Sequence, residues 1–237
     1  MRILITNDDS ISAAQLLPLI RWCQKLGDVT VVVPEFEQSG KSHGIQLLHA
    51  FRAEKRMLED VEVWAVDSTP ADCVRYAVLG MKKEFDLVIS GINRGLNIGM
   101  DIMYSGTVAA IFEAAALGIK GMAVSTEPKF YEGAAGQMDR IWAYMTENKL
   151  FDIHPIYNVN FPAEAGPIRI TKQGGPYYSD DFIPQENDMY LPHGKDVFEE
   201  SGNMDIDTDA VLRGGFTSVM PLSLSRTDMT VFEKLKK

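Results

Sequence analysis

Cysteine is nearly missing from this sequence. The chain of 237 residues holds two, Cys23 and Cys73, both in apolar, helix-like stretches. Two thiols so placed cannot build the disulfide framework of a small secreted domain, and they point to a reduced, cytoplasmic setting. No apolar run approaches the roughly 20 residues that a membrane-spanning helix needs. The opening residues 1–6 run straight into a strand pattern, without the basic, apolar and cleavage segments of a secretory signal. Positive charge is scarce as well: 23 Lys and Arg stand against 33 Asp and Glu, a net charge of -10. That field repels nucleic acid duplexes and anionic membranes, and leaves a small molecule as the expected partner. The hydrophobic share of 46% and the charged share of 24% are ordinary globular values, so disorder and a collagen-like fibre are both excluded.

What is present alternates between strand and helix. Residues 2–6 form a short apolar run that ends in Asn7, Asp8 and Asp9. The spacing of Leu16, Leu19, Ile20 and Cys23 predicts a helix over 15–26, with Pro18 in its first turn. Continuous β-branched residues at 29–33 predict a strand buried on both faces. Further strands are expected at 61–66, 85–90 and 121–125, and helices from Pro70 to about residue 79, over 107–117 and over 134–148. Strand and helix in alternation indicate an α/β fold, a doubly wound, mostly parallel Rossmann-like sheet with helices on both faces. Strands at 157–162, 168–172 and 216–220 follow, with a short helix at 232–235. The stretch 173–209, rich in Gly, Pro, Asp and Asn, reads as a projecting hairpin or loop. The texture changes near residue 130, so residues 1–130 are expected to form a Rossmann-like core. Residues 131–237 then complete it with a β-rich, projecting extension.

In open α/β sheets the ligand site lies beyond the carboxyl ends of the strands. This chain places oxygen-bearing residues there. Asp8 and Asp9 are adjacent carboxylates at the first strand end, and neither is easily desolvated beside the other without a cation. No His or Cys clusters with them, so the expected cofactor is one hard divalent cation per subunit, Mg²⁺ or Mn²⁺, and not zinc. The hydroxyl of Ser39 and the amide carbonyl of Asn93 are candidates to complete its shell. Gly91, Gly95 and Gly99 do not make a dinucleotide fingerprint. Ser105, Gly106 and Thr107 open an alanine-rich helix and are candidate phosphate contacts, with Asn97, Gly40 and Ser42 beside them. His43 lies in the same loop as Ser39; it is either a proton donor to a leaving group or a surface histidine without a role.

Ile5-Thr6-Asn7-Asp8-Asp9, Ser39-Gly40, Thr69-Pro70-Ala71-Asp72-Cys73, the segment from Ser90 to Gly95 and Ser105-Gly106-Thr107-Val108 together resemble the SurE family of 5'-nucleotidases. The resemblance continues through Asn158 to Pro162, Ile168 to Gln173 and Thr208 to Val211, across nearly the whole chain. It implies a metal-dependent phosphatase acting on nucleoside 5'-monophosphates, with Asp8, Asp9, Ser39 and Asn93 as metal ligands, Asp9 and Asp8 as the catalytic pair and Ser105 to Thr107 as the phosphate turn. It also implies a homodimer or homotetramer in which C-terminal segments are exchanged. The chain departs from the family's usual pattern at Ser10 and Ser68, where glycine is common. It departs again at 188–193, where an arginine-bearing strand is usual.

Three other classes share single features. A receiver-like Mg²⁺-binding phospho-signalling module also places an acidic pair after its first strand, but needs an aspartate acceptor where this chain has Ser90. A nucleotide-dependent oxidoreductase lacks its fingerprint here. A haloacid-dehalogenase-type phosphatase needs Asp-x-Asp, not adjacent aspartates.

Overall fold

The computed structural model describes residues 1–162 and 166–236. The first half runs β1 (Arg2–Thr6), α1 (Leu16–Gln24), β2 (Asp28–Pro34), β3 (Ala53–Leu58), β4 (Val61–Val66) and α2 (Pro70–Arg75). Then α2 widens into a π turn (Tyr76–Gly80), and β5 (Leu87–Arg94), a 3₁₀ turn (Gly99–Met103), α3 (Gly106–Ala116) and β6 (Lys120–Thr126) follow. The second half runs through a 3₁₀ stretch (Pro128–Gln137), α4 (Met138–Glu147), α5 (Leu150–Ile153), β7 (Ile156–Phe161) and β8 (Ile168–Ile170). It ends with β9 (Tyr178–Pro184), β10 (Tyr190–Asp196), α6 (Asp207–Leu212), β11 (Thr217–Pro221) and α7 (Met229–Leu235).

Nine strands form one sheet in the order β3-β4-β2-β1-β5-β6-β7-β11-β8. The six from β4 to β7 are parallel. β3 runs against β4 at one edge, and β11 runs against β7 near the other. Successive side chains of a strand point to opposite faces, so Ile3 and Ile5 pack under α1 and α4 while Leu4 packs under α2 and α3. This is the doubly wound architecture that the alternating pattern predicts. Among the described residues no helix is long and apolar enough to cross a membrane.

The structure departs from the sequence-based expectation at several elements, among them the short helices α5 and α6, which no predicted helix covers. β3 has no counterpart among the predicted strands: Glu54, Lys55 and Arg56 stand in its middle, and its exposure alternates only weakly. Charge on an edge strand blocks pairing with other chains, so an edge can carry residues that a central strand cannot. The predicted helix over 134–148 begins only at Met138, because Gly133 and Gly136 fall in a 3₁₀ stretch led by Pro128. Elsewhere the local signals act as expected. Thr69 caps α2 by accepting from the Asp72 amide at 3.2 Å, with Pro70 in the first turn.

The β9–β10 hairpin stands apart as its own two-stranded sheet. Carboxylates of α6 fasten both ends of it. Asp207, fully buried, accepts from the amides of Gly99 at 2.9 Å, Gly174 at 2.7 Å and Thr208 at 2.8 Å. Asp209 accepts from the amides of Ser201 at 2.7 Å and Gly202 at 2.8 Å. Replacing Asp207 by Ala leaves several amides without an acceptor where water is excluded. Urea unfolding should report a loss of at least about 2 kcal/mol, and Asp207→Asn a smaller one.

Candidate active site

From β1 the chain winds one way through β2 and β4, then returns to the other side of β1 to lay down β5, β6 and β7. The crevice at the carboxyl ends of β1 and β5 is therefore the topological switch point, where no connection covers the strand ends. Asp8 and Asp9 follow β1, Asn93 is the penultimate residue of β5, Ser39 follows β2, and Ser105 opens α3. Backbone contacts bring these segments to one rim. The Gln38 amide donates to the Asp8 carbonyl at 2.8 Å, and the Arg94 amide donates to Asp9 Oδ2 at 2.9 Å. The β5–β6 register shifts between Ser90 and Asn93, an irregularity of the kind that re-aims a side chain beside a site. Gly91 makes it possible: its φ is +140°, and a Cβ there would lie 2.4 Å from the Val124 carbonyl oxygen.

The aspartates have unequal surroundings. Asp8 is buried; its Oδ1 accepts from Thr107 Oγ1 at 2.5 Å and its Oδ2 from the Thr107 amide at 3.3 Å. Burial raises its pKa against the help of those bonds. Asp9 is half-buried, and burial first, then the charge of Asp8, pushes it up to about 6. Their hydrogen-bond partners are a hydroxyl and two amides, so no cationic group donates to either carboxylate through these contacts. Glu37 adds a further negative charge, raising both. A hard cation fits such a donor set better than any protein group near it. Asn93 suits the role, since its Nδ2 donates to the Gly95 carbonyl at 2.9 Å and the opposite end of the amide is the carbonyl oxygen. Among the described residues no group of three His, Cys, Asp or Glu could hold a metal. Serine and asparagine oxygens would have to complete the shell.

The remaining predicted residues divide by what they already hold. Ser105 is the cap of α3, its Oγ accepting from the Val108 amide at 3.1 Å. Gly106 lets α3 approach Asp8: a Cβ there would stand 3.2 Å from Asp8 Cβ and 3.0 Å from Pro70 Cγ. Thr107 spends its hydroxyl on Asp8 rather than facing outward. Ser39 is exposed and donates to Glu37 Oε1 at 2.6 Å. Gly40, at φ +71°, turns the loop, and Ser42 Oγ ties it to the Met103 carbonyl at 2.6 Å. Asn97 is buried in an amide network, giving its Nδ2 to Ser125 Oγ at 2.8 Å and receiving Asn158 and Asn160 at its carbonyl. Sequence reasoning missed Glu37, Tyr131 and that network. The signal for the network was legible: Asn158 and Asn160 interrupt a strand whose six positions are all buried. Tyr131 gave none, and its phenol is pushed up to about 12 by burial and the charge of Asp9.

Two measurements test this electrostatic arrangement. A carboxylate whose folded pKa exceeds the ordinary 3.8 favours folding only while protonated. In chelator, the melting temperature should therefore fall as pH rises through about 6, where Asp9 ionises, and excess Mn²⁺ should cancel the fall. Above that pH, Asp8→Asn should melt higher than the parent in chelator and gain nothing from Mn²⁺. Thr107→Val removes the hydroxyl that orients Asp8, and Mn²⁺ affinity by calorimetry should drop about 10- to 100-fold while the fold persists.

Residues 3–180 match the family model described as survival protein SurE. The 5'-nucleotidase SurE of Caldanaerobacter subterraneus is 36% identical over 253 residues, covering 98% of this chain and 95% of that protein. That of Gemmatimonas aurantiaca is 37% identical over 253 residues, covering 98% and 96%. The crystal structure of the SurE protein from Aquifex aeolicus superposes with a TM-score of 0.78 at 31% identity, covering 100% of this chain and 98% of that one. The chain belongs to the SurE family.

Proposed function

We propose that the chain is a 5'-nucleotidase that hydrolyses nucleoside 5'-monophosphates to nucleoside and phosphate. One divalent cation per subunit, Mg²⁺ or Mn²⁺, would be held by Asp8, Asp9, Ser39 and Asn93. The observation that carries the reading is the pair of aspartates at the switch point, buried or half-buried and given no cationic donor by their hydrogen bonds. The names of the curated relatives support the substrate class. When bound, the cation supplies a Lewis acid for a phosphoryl oxygen and makes water at the site more acidic.

The chain's own groups supply the rest. Thr107 occupies both oxygens of Asp8, which fixes that carboxylate in place. Asp9 is bonded at Oδ2 only, to the Arg94 amide, which leaves Oδ1 to orient a water and take its proton. The first turn of α3 is the anion site. The Thr107 and Val108 amides are already bonded to Asp8 and Ser105, so the Gly106 amide and the Ser105 hydroxyl are the donors for phosphate oxygens. Gly40, Ser42 and Asn97 shape the walls around them.

Residues 1–130 carry this chemistry, and residues 131–237 complete the sheet and serve in assembly. Phe182, Met189, Tyr190 and Leu191 of the hairpin region are exposed, and α7 buries none of its residues within one chain. A two-stranded ribbon is marginal by itself. These surfaces suit exchange between subunits of a homodimer or homotetramer. Cys23 and Cys73 are buried free thiols, which suits the cytoplasm.

Assays of AMP and GMP with Mg²⁺ or Mn²⁺ should show release of phosphate, and complete chelation should reduce it at least about 100-fold. Asp9→Asn should lose a comparable factor with substrate affinity little changed. Full turnover after chelation would overturn the reading.

A further inference from the structure

Beside the phosphate turn lies a cavity of about 600 Å³ whose wall includes Ser105, and none of Asp8, Asp9, Ser39 or Asn93. Its size is that of a small-molecule pocket. The apolar wall is made by Ile102, Ala109, Phe112 and Met220, and His43 stands against it. The His43 ring stacks on Phe112 with centroids 6.4 Å apart and planes 20° apart. Its Nε2 lies 2.9 Å from Glu113 Oε2, and Glu113 Oε1 accepts from Arg75 Nη1 at 3.0 Å. The histidine is thus held by a fixed, largely buried carboxylate that is itself held by an arginine.

The cavity runs along helix α3. Ser105 caps its first turn and Phe112 follows seven residues later, about 10 Å along the axis at 1.5 Å per residue. The His43 ring is held toward the Phe112 end by its stack and by Glu113. A proton donor to the leaving group would show in kcat, and a contact to the base in KM.

We propose that this cavity is the nucleobase subsite and that His43 is a specificity-determining residue that reads the base; the proposal rests on the nucleotidase reading above. The bonds from His43 and Arg75 hold Glu113 below the ordinary carboxylate range, so it is ionised and accepts the Nε2 proton. With Nε2 engaged by Glu113, Nδ1 is the ring nitrogen left for a ligand. One fixed ring nitrogen distinguishes a base that presents an exocyclic amino group from one that presents a carbonyl in the same place.

AMP and IMP differ at that position and serve as probes. The parent enzyme should prefer one of the two by about tenfold. His43→Ala should raise KM for the preferred one about tenfold and bring AMP and IMP within twofold of each other. It should leave kcat within threefold and the inhibition constant of inorganic phosphate within twofold. His43→Gln, which keeps a donor for Glu113, should fold as the parent does and also lose the preference. If AMP and IMP are unaffected by either substitution, or if phosphate inhibition weakens in the same proportion as AMP binding, the subsite assignment is overturned. A parent enzyme that hydrolyses no nucleoside monophosphate would instead overturn the function on which it rests.

Discussion

Two carboxylates, one buried and one half-buried, next to each other in sequence and without a cationic hydrogen-bond donor, are the constraint around which this molecule is organised. Asp8 and Asp9 stand where the sheet changes winding direction, the one place that a doubly wound fold leaves uncovered at the carboxyl ends of its strands. Burial works against the charged form of each. The fold does not relieve this with lysine or arginine in direct contact. It surrounds the pair with neutral oxygens, a hydroxyl and amides, and brings Glu37 near enough to add to the strain. Such an arrangement works against the empty protein and favours a hard cation at the pair.

Helix α3 links that constraint to the substrate. Its first turn approaches Asp8 closely because Gly106 has no side chain, and Thr107 then grips the carboxylate from two directions. In the proposed function the same turn offers the Gly106 amide to the phosphate. Eight residues after Ser105, Glu113 fixes His43 over the adjoining cavity. The grip on Asp8 and the hold on His43 therefore both come from α3, through Thr107 in its first turn and Glu113 about two turns on.

Much of this was legible in the sequence because the governing rules are local. Continuous β-branched runs identify the buried parallel strands, Thr69-Pro70 identifies a helix start, and Asp8-Asp9 marks the end of the first strand at the switch point. What was not legible depends on partners distant in the chain. Ala53–Leu58 is a strand only because it finds β4 at an edge where charged residues are tolerated. Thr107 reads as a phosphate contact until the fold brings Asp8 within 2.5 Å of its hydroxyl. Ser10, where the family commonly has glycine, keeps the left-handed backbone that glycine would adopt, at φ +76°. The Asn7 side chain bonding to the Ser10 carbonyl at 2.8 Å helps to hold it there. His43 is ambiguous for the same reason, since its partner Glu113 is 70 residues further along the chain.

The account turns on one cation at the junction of β1 and β5. Anomalous diffraction from crystals equilibrated with saturating manganese tests it most directly. One peak per subunit, within coordinating distance of oxygens from Asp8, Asp9, Ser39 and Asn93, is the predicted result. No peak at that junction, in protein that still hydrolyses AMP with manganese, would contradict it.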